Sequence, residues 1–363
     1  MEQRRKNLTQ LFIPICLETL LYMLSGMVDT LMLSSVNDQA VGAVGTANTY
    51  IGIFIIMFSV ISSGMVAVMT QNIGAGRPGV AYQARQLGLA FNAVLGVIMS
   101  LFLSLGAGTI LSGVGVADAL MQPAKTYLQI VGGFCILNAL IPICSSYLRA
   151  FGFSKEPLYA SIIGNVINFC LNAFFLFVLH KGVAGVATAT VISRIINLVI
   201  VVLLGAVLVK AKQHPERESN RAVMGQIIRI GLPSACETAI YNVSMTLVIR
   251  FLNQMDAQGL NVTARSYTMQ ITNFSYCVGA ALAQANAIMT GWHIGAKEYD
   301  ACDRGTKKAA VIGVIVAVIL ETVFTLCSGW IMQLFSKDPQ MVSLVGKLLA
   351  IDIVLEIGRV TNL

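Results

Sequence analysis

Four side chains near the N-terminus stand on one face of an apolar stretch. In FIPICLETLLYMLSGMVDTLML, residues 12–33, Glu18, Tyr22, Ser25 and Asp29 fall at i, i+4, i+7 and i+11. A helix turning about 100° per residue aligns them as a polar stripe. A carboxylate turned to lipid at a bilayer centre costs on the order of 2.5–3.5 kcal/mol, so the stripe belongs against protein or a hydrated cavity. Without a permanent partner, such an acid can hold a proton, Na⁺ or an organic cation. Like charges in a low dielectric resist simultaneous occupancy, so these cations must take turns, which is the physical basis of antiport. Asp29 has no basic residue on its own helix and is the leading candidate; Glu18 is the second, with Tyr22 and Ser25 expected to line the substrate cavity.

Further polar residues interrupt other apolar runs. LYASIIGNVINFCLNAFFLFVLH carries Asn165, Asn168 and Asn172, the last two on one face. Intramembrane asparagines serve either as ligands or as interhelical hydrogen-bonding glue, and the sequence leaves both open. Arg194, Arg250 and Arg359 could neutralise buried acids, and Glu356 lies three residues before Arg359, where a helix pairs them. The His residues are isolated, and no zinc-ligand spacing, P-loop or clustered catalytic constellation occurs. No enzyme, metal centre or cofactor is expected, only a coupling ion, Na⁺ or H⁺.

The elements that position these residues must be membrane helices. Hydrophobic residues make up 56% of the 363 and charged residues 11%, which excludes an ordinary soluble domain. Ten spans are expected, at 11–36, 40–69, 87–112, 127–149, 158–180, 183–209, 227–252, 268–291, 309–335 and 344–363. The basic residues crowd the N-terminus and every second loop, so the net charge of +7 reflects topology and not nucleic-acid binding. The N-terminus is expected to be cytoplasmic. MEQRRK precedes a run too long for a signal peptide, and Pro14 and Glu18 interrupt it, so it reads as a retained first helix.

A repeat organises these spans. P14-I-C-L-E18-T19-L-L-Y22-M-L-S25 recurs as P233-S-A-C-E237-T238-A-I-Y241-N-V-S244, offset by 219 residues, with Val248 in the place of Asp29. I73-G74-A75 recurs as I294-G295-A296, offset by 221. A unit of six helices returns the chain to its starting side, so the copies should be parallel repeats about an axis along the membrane normal. The expected division is an N-lobe of six helices over 1–212, a polar cytoplasmic linker over 213–226 and a C-lobe of four helices over 227–363. By that symmetry, two helices of the second repeat are expected beyond Leu363.

These motifs resemble the bacterial branch of the multidrug and toxic compound extrusion (MATE) family. The likeness rests on P14-x3-E18 with M27-V28-D29-T30, Q71-N72-I73-G74-A75-G76, L148-R149-A150-F151-G152, N168-F-C-L-N172, G231-L-P233 and E356-I-G358-R359-V-T-N362. It implies an all-α integral membrane transporter whose two six-helix lobes form a V around a central cavity. It implies export of small cationic or lipophilic compounds driven by Na⁺ or H⁺, in a monomer embedded in the lipid of a bacterial plasma membrane. On this likeness Asp29 is the principal coupling carboxylate, completed by Asn168 and Asn172, the latter standing where archaeal members carry Asp. Glu237, Tyr241 and Glu356 form the corresponding polar site of the second lobe. The alternative is a lipid-linked oligosaccharide flippase of the same superfamily, which would favour a cationic cavity for pyrophosphate. Acids leading the stripe in both repeats argue against it.

Overall fold

Helix is the only regular structure among the residues that the computed structural model describes, which are 6–34, 38–113, 116, 118–210, 215–255, 260–333 and 338–362. The first part comprises α1 (Leu8–Ser34), α2 (Asp38–Gly74), α3 (Pro78–Gly113), α4 (Asp118–Tyr127), α5 (Ile136–Ala150), α6 (Lys155–Ala173) and α7 (Gly182–Leu208). The second comprises α8 (Asn220–Met255), α9 (Leu260–Gly295), α10 (Tyr299–Leu326), α11 (Ser328–Met332) and α12 (Pro339–Asn362).

Among the described residues, five helices are long and apolar enough to cross a membrane: α1, α3, α6 extended through Val178, α7 and α10. The number rises to seven if the bent pairs 39–55 with 60–74 and 120–132 with 136–150 each count as one span. Of the ten expected spans, those on α8, α9 and α12 do not meet this measure. These helices have the length, but charged and amide side chains interrupt them, among them Arg229, Glu237 and Arg250 on α8 and Asp352, Glu356 and Arg359 on α12.

The helix irregularities have local causes. Pro14 lacks the N–H that would bond the carbonyl of Gln10, and the Ser154 hydroxyl donates to that carbonyl at 2.9 Å. Between α4 and α5 a π turn, Leu128–Gly132, precedes a bend of 42°. The backbone N–H of Ile136 at the start of α5 finds the Ser100 hydroxyl of α3 at 3.0 Å. Asn92 of α3 donates to the carbonyls of Phe58 and Ala139, tying α2, α3 and α5 together inside the bundle.

Three helices end alike. After α2, Gly76 N–H reaches Ile73 O and Arg77 N–H reaches Asn72 O; after α5, Gly152 reaches Arg149 and Phe153 reaches Leu148; after α9, Lys297 reaches Ile294 and Glu298 reaches His293. Each is a Schellman stop with its C′ residue left-handed, at φ of 74°, 84° and 61° for Gly76, Gly152 and Lys297. The I-G-A segments and L148-R-A-F-G152 thus mark where helices turn back.

Around these stops the first and second parts close on each other. One apolar core runs through Leu11, Met69, Tyr147, Ile227, Ile288 and Trp292, joining α1, α2, α5, α8 and α9. At Gly64 and Gly231 the backbones of α2 and α8 touch, so that a Cβ on either would strike a main-chain carbonyl of the other helix. Gly74, Gly291 and Gly295 set the same close approach between α2 and α9. Small residues let helix backbones pack at contact distance in this way.

Candidate functional site

Asp29 lies on α1 against α6, whose buried face carries Ser161, Gly164, Asn168 and Asn172 in steps of three and four. Asn168 and Asn172 are 5% and 0% exposed, so their amides must be satisfied inside the protein. The Asn172 amide nitrogen donates to the Asp29 carboxylate at 2.6 Å and to the Asn168 side-chain oxygen at 3.3 Å. This leaves the Asn172 oxygen buried with no donor. Three oxygen-bearing groups therefore converge, a carboxylate and two amide carbonyls, with an orphaned acceptor among them. That donor set suits Na⁺, and the carboxylate alone suits a proton.

Among the described residues Asp29 makes no ion pair. Arg194 of α7 and Tyr127 of α4 are near enough to act on its charge across space. The arginine supplies a background field, not a lock. Asn165 donates instead to the Leu21 carbonyl of α1 at 3.4 Å, the interhelical bond that asparagine forms as glue.

Glu18 stands apart from this group. Eleven residues earlier on α1, about 16 Å away along the axis, its Oε2 is 2.5 Å from Arg149 Nη2 at the end of α5. Arg149 Nη1 also donates to Gln284 of α9 at 2.8 Å, and about two turns further along α9 the Trp292 indole donates to the Ala150 carbonyl at 2.9 Å. Glu18 thus belongs to the joint where the two parts of the chain meet. Tyr22 is 60% exposed, and Ser25 is half-buried on the same face.

In the second part, Glu237 is exposed on α8 and accepts a hydrogen bond from Asn362 of α12 at 2.6 Å. Tyr241, one turn on, is 43% exposed. Glu356 pairs with Arg359 at 2.7 Å, as their spacing predicts. Its other neighbours are Glu321 of α10 and Asp352 of α12, and the three carboxylates are buried together. Glu321, Asp352, Arg149 and Gln284 are absent from the sequence-based site. The first two were detectable, because an acid within an apolar run carries the same insertion cost that marks Asp29. Arg149 reads as a loop-end cation until the fold brings it under Glu18.

Apolar helices of spanning length, with buried carboxylates among them, define an integral membrane protein. The chain belongs to the MatE family, whose sequence profile matches residues 14–174 and 233–363. It is 32% identical over 355 residues to the uncharacterized transporter YisQ of Bacillus subtilis, covering 96% of this chain and 78% of that one. It is 23% identical to the Probable multidrug resistance protein NorM of Thermotoga maritima, covering 94% and 74%. Solved structures share its fold. One is an outward-facing conformation of a multidrug resistance MATE family transporter of the MOP superfamily, with a TM-score of 0.86 at 17% identity, covering 96% of this chain and 78% of that one. Another is a MOP superfamily transporter from Pyrococcus furiosus, with a TM-score of 0.84 at 18% identity over 96% of this chain and 78% of that one.

Proposed function

We propose that the protein exports lipophilic cationic compounds across a bacterial plasma membrane in exchange for inward-moving Na⁺ or H⁺ taken up at Asp29. The observation that carries this reading is the Asp29 carboxylate, held by one neutral hydrogen bond from Asn172 and by no salt bridge among the described residues. A permanently paired acid could not release its cation on each cycle. Asp29 would bind the coupling ion with the Asn168 and Asn172 oxygens beside it, and arrival of a cationic drug would compete for the same negative charge.

Alternating access needs a contact that closes one side while the other opens. The backbone crossings at Gly64–Gly231 and along Gly74, Gly291 and Gly295, with the Arg149–Glu18–Gln284 link, supply a closed end. With the N-terminus cytoplasmic, this end faces the cell interior, and the two parts of the chain would rock about it. The chain would act as a monomer in lipid, with no catalytic step. Its names among relatives support drug efflux over lipid-linked sugar flipping, as does the prominence of acids over cations in both polar stripes.

The test is efflux of a fluorescent cation from proteoliposomes under separately imposed Na⁺ and H⁺ gradients. Asp29→Asn, nearly isosteric, should abolish gradient-driven exchange while leaving melting temperature and size-exclusion profile intact. Unchanged exchange would remove Asp29 from the mechanism.

A further inference from the structure

We propose that the cavity between the start of α3 and the segment leading into α8 binds the phosphate headgroup of an anionic phospholipid. It lies at the end of the bundle where α3 and α8 begin, not at Asp29, and does not rest on the exchange reading.

The first turns of α3 form one wall and hold the other in place. Gln83 is buried, and its side chain is committed to the segment before α8. Its amide nitrogen donates to the Glu218 carbonyl at 2.7 Å and to the Asn220 side-chain oxygen at 2.6 Å, and its own oxygen accepts the Glu218 N–H at 3.0 Å. Arg77 pairs with the Glu218 carboxylate at 2.5 Å. These bonds fix residues 217–220 alongside α3. Between the two walls lies a cavity of about 510 Å³, lined by Gln86, Leu87, Ala90, Arg217, Glu218 and Asn220 beside Gln83. Pockets for small ligands span about 300–1,000 Å³.

The charge of this cavity calls for an anion. Glu218 is taken by Arg77, whereas Arg217 and Arg85 make no ion pair among the described residues. Both lie against the Tyr82 ring, with guanidinium carbons 5.6 and 5.9 Å from its centroid, and Arg85 also stands 4.6 Å from the centroid of Tyr147. Aromatic faces hold the two cations without cancelling their charge. Arg217 lines the cavity, and Arg85 adds a second positive charge nearby, its Nε buried with no hydrogen-bond partner. The Asn220 amide nitrogen has no acceptor among the described residues, and the exposed Gln86 amide reaches only the Tyr82 hydroxyl, at 3.3 Å. Guanidinium and amide N–H groups are the donors that phosphate oxygens accept, arginine above all.

The apolar side of the cavity selects a lipid over a free phosphate. Past the amides the α3 wall becomes Leu87 and Ala90, and the stripe continues in steps of three and four through Val94, Val97 and Leu101, all three exposed. This stripe runs into the length of α3 that is apolar enough to cross a membrane. Acyl chains would cover it while the headgroup occupied the polar mouth; a soluble anion would leave it untouched. Basic pockets at the polar ends of membrane helices take anionic headgroups in this way. A lipid seated here would join α3 to the segment entering α8, and so the first part of the chain to the second.

The experiment is native mass spectrometry of the purified full chain in detergent, titrated with phosphatidylglycerol or with phosphatidylcholine of identical chains. Phosphatidylglycerol should be retained in preference. Arg217→Gln should weaken its retention about five-fold, the weight of one basic residue at a lipid surface, and Arg217→Lys should keep most of it. Lys308→Gln, which removes an exposed cation at the start of α10 outside the cavity, should change nothing. Glycerol phosphate, which has the phosphate but no chains, should fail to compete. Where Arg217→Gln lowers the melting temperature, Gln86→Leu on the exposed side of α3 decides instead, and weakened retention is expected there too. Equal retention of the two lipids, or retention that the deciding variant leaves unchanged, overturns the proposal. A loss in Lys308→Gln as large as in Arg217→Gln would reduce it to diffuse attraction and overturn it as well. Competition by glycerol phosphate would make the cavity a site for soluble phosphates and overturn the lipid assignment.

Discussion

Gly231→Ala should open the closed end of the molecule. The added methyl would sit against the Val60 carbonyl of α2, well inside van der Waals contact, and the reciprocal site at Gly64 faces the Ile227 carbonyl and the Gly231 nitrogen. Neither obstacle is a side chain that can rotate away, so α2 and α8 must separate. Overpacking of this kind costs about 1–3 kcal/mol, and with backbone on both sides the upper figure applies. If the contact exists only in the closed conformation, the whole cost falls on that state. A penalty of about 3 kcal/mol shifts a two-state equilibrium by roughly 150-fold. Spin labels at Tyr159 and Tyr299, exposed near the starts of α6 and α10, should report a longer distance in the variant. Drug efflux should fall because the cycle stalls open. Gly26→Ala is the control, since nothing lies within 4 Å of a Cβ there. Unchanged label distances and efflux in Gly231→Ala would refute the assignment of this crossing as a gate. A fall in melting temperature with unchanged distances would make it a fixed structural contact.

Two further substitutions probe the same end. Arg149→Met should cost about 3–5 kcal/mol of stability by leaving Glu18 without its partner, because the pair is largely buried, with side chains 8% and 17% exposed. Combining it with Glu18→Met should recover most of the loss; a double variant as unstable as the single one would show that Arg149 works through Gln284 and packing alone. Lys297→Gly should stabilise by up to about 1 kcal/mol, since Lys297 holds the left-handed stop at φ 61° that Gly76 holds after α2. Thermal denaturation checks both, and a lowered melting temperature in Lys297→Gly would show that the lysine side chain makes a contact outweighing its backbone strain.

Much of the fold was legible because lipid restricts the choices. Each long apolar run had to become a helix with its backbone bonds internal, and among the described residues the expected spans fall mainly on helix, with breaks before α5, after Val178 and between α10 and α11. The paired segments around Pro14 and Pro233 carry the same local chemistry: Thr19 bonds back to Ile15 O and Thr238 to Ser234 O, each four residues earlier. The I-G-A segments likewise close with the same turn. What periodicity could not show is which faces meet. Gly64 and Gly231 look like any membrane glycines until α2 lies across α8, since a close approach depends on two helices at once.

The acids show the same division. Asp29 stood out because its own helix offers it no cation, and its neighbours on α6 were the asparagines that the spacing placed on one face. Glu18 shares that face in projection, yet some 16 Å of rise delivers it to a different partner, so angular alignment alone overstated the group. Glu356 entered the sequence-based second-lobe site beside Glu237 and Tyr241, and its pairing with Arg359 accounts for one carboxylate oxygen. The free oxygen beside it, together with Glu321 and Asp352, carries the unanswered charge. A buried acid is explained only when every oxygen has a partner and the local charge sums to zero, and that test needs the neighbouring helices as well as its own.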